Sequence, residues 1–183
     1  LMRRCPQGKA YGIDISPESV LFAQKKNKKY LSTRCFIEQG TVDTLPYTDE
    51  MFDVVTAFET VYFWNDLPKA FTEVTRVLKR NGHFLICCEL NNPSVKTWTN
   101  LIDGMIIRSC DELKSILLQS GFVSIASYKH EKLSNNLIGL IRFLNKEIRP
   151  LDIMTPSYLL VNHIHKSAFH SDYHQTIHKV LVS

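Results

Sequence analysis

Asp14 ends a run in which Tyr11, Ile13 and Ile15 alternate with Gly12 and Asp14, and Ser-Pro-Glu follows at once. An acid at a strand tip in a nucleotide-binding sheet can accept hydrogen bonds from both hydroxyls of a ribose, a charge-assisted, bidentate contact. The same acid can instead cap the turn into the next segment, and residue type alone leaves both roles open. Glu59 closes a second apolar run, and Tyr62, Phe63 and Trp64 come directly after it. An aromatic face there can hold a cation, or the triplet can pack as a hydrophobic lid. His170, His174 and His178 recur every four residues, just after His163 and His165. Two histidines four apart on a helix can chelate zinc. No carboxylate or cysteine completes a tight ligand set and no HExxH is present, so no metal ligand is assigned.

These residues need elements to position them, and strand-like and helix-like segments alternate along the chain as in a βαβ sheet. After a strand over 10–15, Ser16 caps a helix with Pro17 at its first position and Glu18 facing the positive dipole end, running to about Tyr30. "RCFIEQG" reads as a short buried strand, "TVDTLPYTDEM" as a loop with Pro46 as turn chemistry, and "FDVVTAFE" as a central parallel strand. Asp66 caps "LPKAFTEVTRVLKRNG", whose apolar residues recur at helical spacing until Asn81 and Gly82 end it. "HFLICCEL" is another buried strand, Ser109 with Glu112 opens a helix that Gly121 closes, and "FVSIASY" follows as a strand. Ligands of such sheets bind beyond the carboxyl ends of the strands, where strand order reverses. Asp14, the 40–42 loop and Glu59 fall at those ends.

Composition limits the classes of function. The chain has 183 residues, 44% hydrophobic and 22% charged, enough for one globular domain. A net charge of +4 is modest, and Lys25, Lys26, Lys28 and Lys29 form a solvated helix face without interleaved stacking aromatics, which argues against a nucleic-acid partner. Five cysteines without a CxxC pair favour reduced, buried thiols and a cytoplasmic protein over a disulfide framework. No apolar stretch approaches the roughly 20 residues that span a bilayer, so no membrane partner is expected.

"YGIDIS", "QGTVDTLPYTDEMFDVVTAFETVYFW" and "DLPKAFTEVTRVLKRNGHFLI", in this order and spacing, resemble the class I S-adenosylmethionine-dependent methyltransferases, in particular their small-molecule, ubiquinone-biosynthesis-like branch. The likeness covers about residues 8–126, with "DGMIIRSCDELKSILLQSGF" continuing it. It implies a Rossmann-like α/β three-layer sandwich, S-adenosylmethionine as cofactor and a small-molecule methyl acceptor. Asp14 then stands where the family holds the ribose hydroxyls, Ile15 where an apolar side chain covers the adenine, and Thr41 and Val42 where a loop frames the adenine edge. Many members carry an acid at the Thr41 position, so the threonine weakens that contact. Phe58 and Glu59 stand where the methionine part is met, and Tyr62 and Trp64 are placed as acceptor-lining. No catalytic residue is named, because a sulfonium is already a strong methyl donor and no general base is obligatory. A nicotinamide dinucleotide domain also uses an acid after its second strand, but lacks the Leu-Pro-Tyr to Phe-Asp series.

Departures from the family, beside the tolerable Arg-Asn-Gly at 80–82 where Pro-Gly-Gly is common, set further expectations. Its glycine-rich loop after the first strand has no counterpart here, since "LMRRCPQGKA" reads as the end of the first helix and the turn into the second strand. The chain is therefore expected to be truncated at its amino end, with an open sheet edge that invites self-association. After about residue 130 the likeness fails, and 131–183, with an apolar helical stretch, two prolines and the histidines, is expected to be a divergent tail beside a methyltransferase-like domain over 1–130. A non-catalytic remnant of the fold, serving as an interaction module, is the alternative function.

Overall fold

The computed structural model describes residues 7–88, 90–129, 139–144 and 157–162. Seven strands form one sheet: β1 (Lys9–Asp14), β2 (Cys35–Gln39), β3 (Phe52–Phe58), β4 (Leu78–Cys88), β5 (Ser124–Lys129), β6 (Gly139–Leu144) and β7 (Ser157–Asn162). Their spatial order is β2-β1-β7-β3-β4-β6-β5. All neighbours run parallel except β6, which is antiparallel to both β4 and β5. The helices are α1 (Pro17–Lys26), α2 (Leu67–Val77) and α3 (Cys110–Gln119).

Each helix begins where the sequence places a cap. Ser16 accepts from the Ser19 amide, Asp66 from Lys69 and Ser109 from Glu112, satisfying amides that an uncapped first turn leaves without partners. Leu67, Ala70, Phe71, Val74 and Val77 form the buried stripe of α2. They pack with Val55, Phe84 and Ile86 of the sheet and Phe122 in one continuous core. Phe71 and Phe84 are fully buried with centroids 5.7 Å apart, and each such side chain contributes about 1.5–3 kcal/mol over its exposed state.

Two expected helices are shorter than their patterns. α1 stops at Lys26, where Asn27 takes over the cap and its side-chain amide donates to the Ala23 carbonyl. α2 stops at Val77, because Leu78 is extended and pairs with Phe52 instead of prolonging the stripe. The next pair is Val54 with His83, so residues 79–82 bulge out of the ladder. Asn81 there has φ +67°, and a Cβ on Gly82 would stand 2.9 Å from the Lys79 carbonyl oxygen. Asn-Gly thus shapes a bulge inside β4 and does not end a helix.

Beyond residue 130 the structure departs most from expectation. Residues 139–144 form a strand that pairs antiparallel with β5 from Ser124↔Leu144 to Lys129↔Gly139, so the apolar stretch read as helical belongs to a closing pair of strands. β7 lies between β1 and β3, in register from Lys9↔Ser157 to Asp14↔Asn162 on one side and from Val54↔Tyr158 to Ala57↔Val161 on the other. The sheet therefore runs across the boundary expected at residue 130. The gap expected between β1 and β3 is filled by the chain's own later segment, and neither strand presents an open edge there. Reach does not limit this closure. β6 ends and β7 begins at the amino ends of the strands, three spacings of about 4.8 Å apart, and twelve residues (145–156) extend to about 40 Å. The histidines from His163 onward lie outside the described residues.

The loop between β2 and β3 is fastened from below by α2. Arg76 donates through Nε to Glu73, through Nη1 to the Tyr47 carbonyl and Asp49, and through Nη2 to the Leu45 carbonyl and Glu73, all at 2.8–3.0 Å. Glu73 in turn accepts from the Leu45 amide at 3.0 Å. The Arg76 hydrogen bonds hold the Glu73 carboxyl below its ordinary value of 4.5.

Two measurements test this architecture. Leu160→Pro removes ladder hydrogen bonds from a strand paired on both sides, and thermal unfolding is expected to show a loss of about 3 kcal/mol or more; an unchanged midpoint would place 157–162 outside the sheet. For Glu73, the depressed folded pKa means that its contribution is fully present above the ordinary carboxylate range and is lost as pH falls through the lower folded value. The stability gap between the parent and Glu73→Gln, about 1–2 kcal/mol near neutrality for partly exposed charge-assisted bonds, is expected to shrink as pH is lowered below 4.5 in urea melts.

Candidate functional site

The carboxyl ends of β1, β2, β7 and β3 share one rim, and most of the residues singled out from the sequence lie along it. Asp14 ends β1, opposite Gln39 of β2 and Asn162 of β7. Its side chain is 5% exposed, and Oδ1 accepts from the Ser16 amide at 2.8 Å. The turn-capping role is thus realised. It fixes the carboxylate at the head of α1 and turns it away from bulk solvent. Ile15, the next residue, is 46% exposed, and its carbonyl accepts from the Gln39 side-chain amide at 3.1 Å.

β2 leaves the sheet beside this acid. The Gly40 amide donates to the Asp14 carbonyl at 3.0 Å. A Cβ on Gly40 would stand 2.5 Å from Cδ1 of Ile13, which is itself 2% exposed, so a side chain at position 40 would have to displace the packed tip of Ile13. Thr41 is exposed, donates through Oγ1 to Asp43 at 3.2 Å and accepts from the Asp43 amide at 3.3 Å. Val42 is buried in the core and anchors the loop. Asp43 was not singled out from the sequence, yet it is the acid that the Thr41 hydroxyl meets.

On the far side of β7, Phe58 ends β3 half-buried, and Glu59 follows with φ +54°. Such a conformation costs a non-glycine residue about 1 kcal/mol or more. It is held by the Glu59 amide, which donates to the Cys87 carbonyl at 2.9 Å. Asp14 and Glu59 are thus separated by two strand spacings, about 10 Å.

Tyr62 and Trp64 sit beneath the rim, 4% and 3% exposed. Trp64 stacks on Phe84, with planes 5° apart, meets Phe71 edge-on and donates through Nε1 to Thr60 at 3.3 Å. The Tyr62 hydroxyl accepts from the Leu90 amide at 2.7 Å. Burial pushes its phenol well above the ordinary value, and Cys88 and Glu59 add to the shift. Phe63, between them, is half-buried. The structure therefore brings Asp14, Ile15, Thr41, Phe58 and Glu59 to one rim and uses Val42, Tyr62 and Trp64 as its buried footing. Among the described residues no cluster of histidine, cysteine, aspartate or glutamate is able to hold a metal ion, and no helix is long and apolar enough to cross a membrane.

The chain is similar to several known proteins. Residues 1–86 match the methyltransferase domain family. The uncharacterized methyltransferase YcgJ of Bacillus subtilis is 37% identical over 79 residues, 41% of this chain and 30% of that protein. A demethylmenaquinone methyltransferase of Alkalihalophilus pseudofirmus is 32% identical over 94 residues, 51% of this chain and 39% of that one. A phthiotriol/phenolphthiotriol dimycocerosates methyltransferase of Mycobacterium leprae is 29% identical over 140 residues, 74% and 50% of the two chains. The chain thus spans half or less of each of these relatives. The crystal structure of YcgJ superposes with a TM-score of 0.62 at 17% identity, over 76% of this chain and 83% of that one.

Burial also sets thiol reactivity. The Cys88 thiol is pushed well above its ordinary value by burial and then by Glu59, and burial raises Cys35 as well. Cys35 and Cys88 are expected to stay unmodified by an aromatic disulfide reagent at pH 8 until the protein is unfolded, with mass mapping as the readout. Rapid native labelling of Cys88 would contradict its place in the core.

Proposed function

We propose that this chain carries a class I S-adenosylmethionine-dependent methyltransferase domain of the ubiquinone- and menaquinone-like branch, binds that cofactor along the rim from β1 to β3 and methylates a small-molecule acceptor. The observation that carries the proposal is the buried carboxylate of Asp14 at the tip of a parallel strand, beside the chain's turn at Gly40, whose amide donates to the Asp14 carbonyl.

The residues present fit the cofactor at its nucleoside end. Asp14 offers a fixed, negatively charged acceptor to the ribose diol. Ile15 presents exposed apolar surface to one face of the adenine, and Thr41 with the Val42 backbone frames its edge. Phe58 and Glu59 meet the methionine end, about two strand spacings away. No contact is assigned beyond β7, since the residues after Asn162 lie outside the described ones.

When bound, the cofactor supplies an activated methyl group on a sulfonium. The protein's share is to hold the cofactor, align the acceptor and exclude water. Cofactor and acceptor occupy different stretches of the rim in this reading. The nucleoside lies over β1 and β2, and the acceptor approaches over the tips of β3 and β4. The relative that acts on demethylmenaquinone supports an apolar acceptor, as do the exposed Leu101 and Ile106 in the connection after β4. A second reading keeps the fold as an interaction module without turnover.

Calorimetric titration with S-adenosylhomocysteine separates the two. The parent is expected to bind, and Asp14→Asn, which still accepts from the Ser16 amide but has lost its charge, is expected to bind about 10–100-fold more weakly with its fold intact. No binding by the parent would leave the interaction-module reading. Equal affinity in Asp14→Asn would remove the ribose contact from the account.

A further inference from the structure

We infer that Tyr62 is a positioning residue, which clasps both ends of the connection 90–109 and so fixes the acceptor side of the rim. Its hydroxyl accepts from the amide of Leu90, the second residue after β4, at 2.7 Å. Its backbone carbonyl accepts from the amide of Ile106, near the other end of the same connection, at 2.9 Å. One residue in the short turn Val61–Phe63 therefore ties down a long irregular segment at its two ends. The Leu90 end of the clasp belongs to the interior: Tyr62 is 4% exposed and Leu90 is 7% exposed, so that hydrogen bond has no water as a ready substitute, whereas the Ile106 end lies at the surface, with Ile106 46% exposed.

The segment between the clasped points lies on the side of the rim where β3 and β4 end. Trp98 and Ile102 pack partly against the core, whereas Val95, Leu101 and Ile106 turn apolar surface outward. A connection of this length without regular structure keeps its shape through its core anchors, Met105 and Ile107 among them, and through such local fastenings. Because it leaves β4 just after Cys87, which pairs with Phe58 and accepts from the Glu59 amide, we take it as a wall of the acceptor site, an assignment that rests on the reading given under Proposed function. Tyr62 is then needed for its oxygen as well as its ring. Phenylalanine at this position keeps the packing against Phe63, seen at 6.3 Å between centroids, but leaves a buried amide at Leu90 without an acceptor.

Amide hydrogen exchange on the full chain, with and without S-adenosylhomocysteine, tests the clasp. In Tyr62→Phe the Leu90 amide and its neighbours in 90–109 are expected to exchange about tenfold faster or more, while the amides of α2 keep their rates. The ligand is expected to bind the variant within about threefold of the parent, yet to slow exchange in 90–109 only in the parent. Ile106→Pro removes the donor at the other end from an exposed position and is expected to loosen the same segment. Unchanged exchange across 90–109 in both variants would overturn the inference, as would an equal acceleration in α2, which signals a general loss of stability. Failure of the parent to bind the ligand would defeat the cofactor reading alone, since the ligand-free comparison still decides the clasp.

Discussion

A parallel strand in the middle of a sheet needs a partner on both sides, because its buried amides and carbonyls have no water to turn to. β1 and β3 meet that requirement only through β7, whose ladders run along both of them. Much of what is functionally suggestive in the molecule depends on this. Asp14 and Glu59 lie on opposite sides of β7, so the strand sets both their separation and their common level at the rim. The segment that closes the sheet comes from the far end of the chain, and topology joins what sequence separates by more than 140 residues.

Around that strand, two fastenings give the rim its shape. On the nucleoside side, Arg76 and Glu73 on α2 hold the loop that carries Thr41 and Val42. On the acceptor side, Tyr62 holds the connection that follows β4. Both act largely through backbone groups of the loops they hold, with Asp49 the one loop side chain that Arg76 also meets, so most loop side chains are free to vary without disturbing the anchor. The strain at Glu59 fits the same scheme. A left-handed residue immediately after β3 turns the chain from the sheet into the Val61–Phe63 turn that bears Tyr62, and a local cost is met by surrounding contacts.

How much of this was legible before the coordinates depends on the kind of signal. Caps are written in single residues, and Ser16, Asp66 and Ser109 all act where their types place them. The rim residues were legible because they follow apolar runs ending in an acid or a glycine. The C-terminal segments were not, for two reasons. Leu137, Ile138, Leu140, Ile141, Phe143 and Leu144 fit helical spacing, and periodicity cannot separate a short apolar run from a buried strand. The run from Tyr158 to Val161 has the composition of "FDVVTAFE" on a smaller scale, but nothing local states that its partners are β1 and β3. Leu78 was read into a helix because it continues the apolar stripe; the decision lies in its pairing with Phe52, a contact 26 positions away. Aromatics after a strand suit a binding surface, which is what points Tyr62 and Trp64 to the acceptor. Trp64 instead fills the space between Phe71 of α2 and Phe84 of the sheet, and Tyr62 lies under the connection after β4, spaces that no spacing rule encodes.

The account stands on β7 occupying the slot between β1 and β3 in solution. Cross-strand nuclear Overhauser contacts in an isotope-labelled chain test it most directly. Backbone protons of Leu160 are expected to show contacts to Gly12 and its neighbours on one side and to Thr56 and its neighbours on the other, as the two ladders require. Contacts from 157–162 to neither strand, with those residues giving the sharp signals of a free chain, would contradict it.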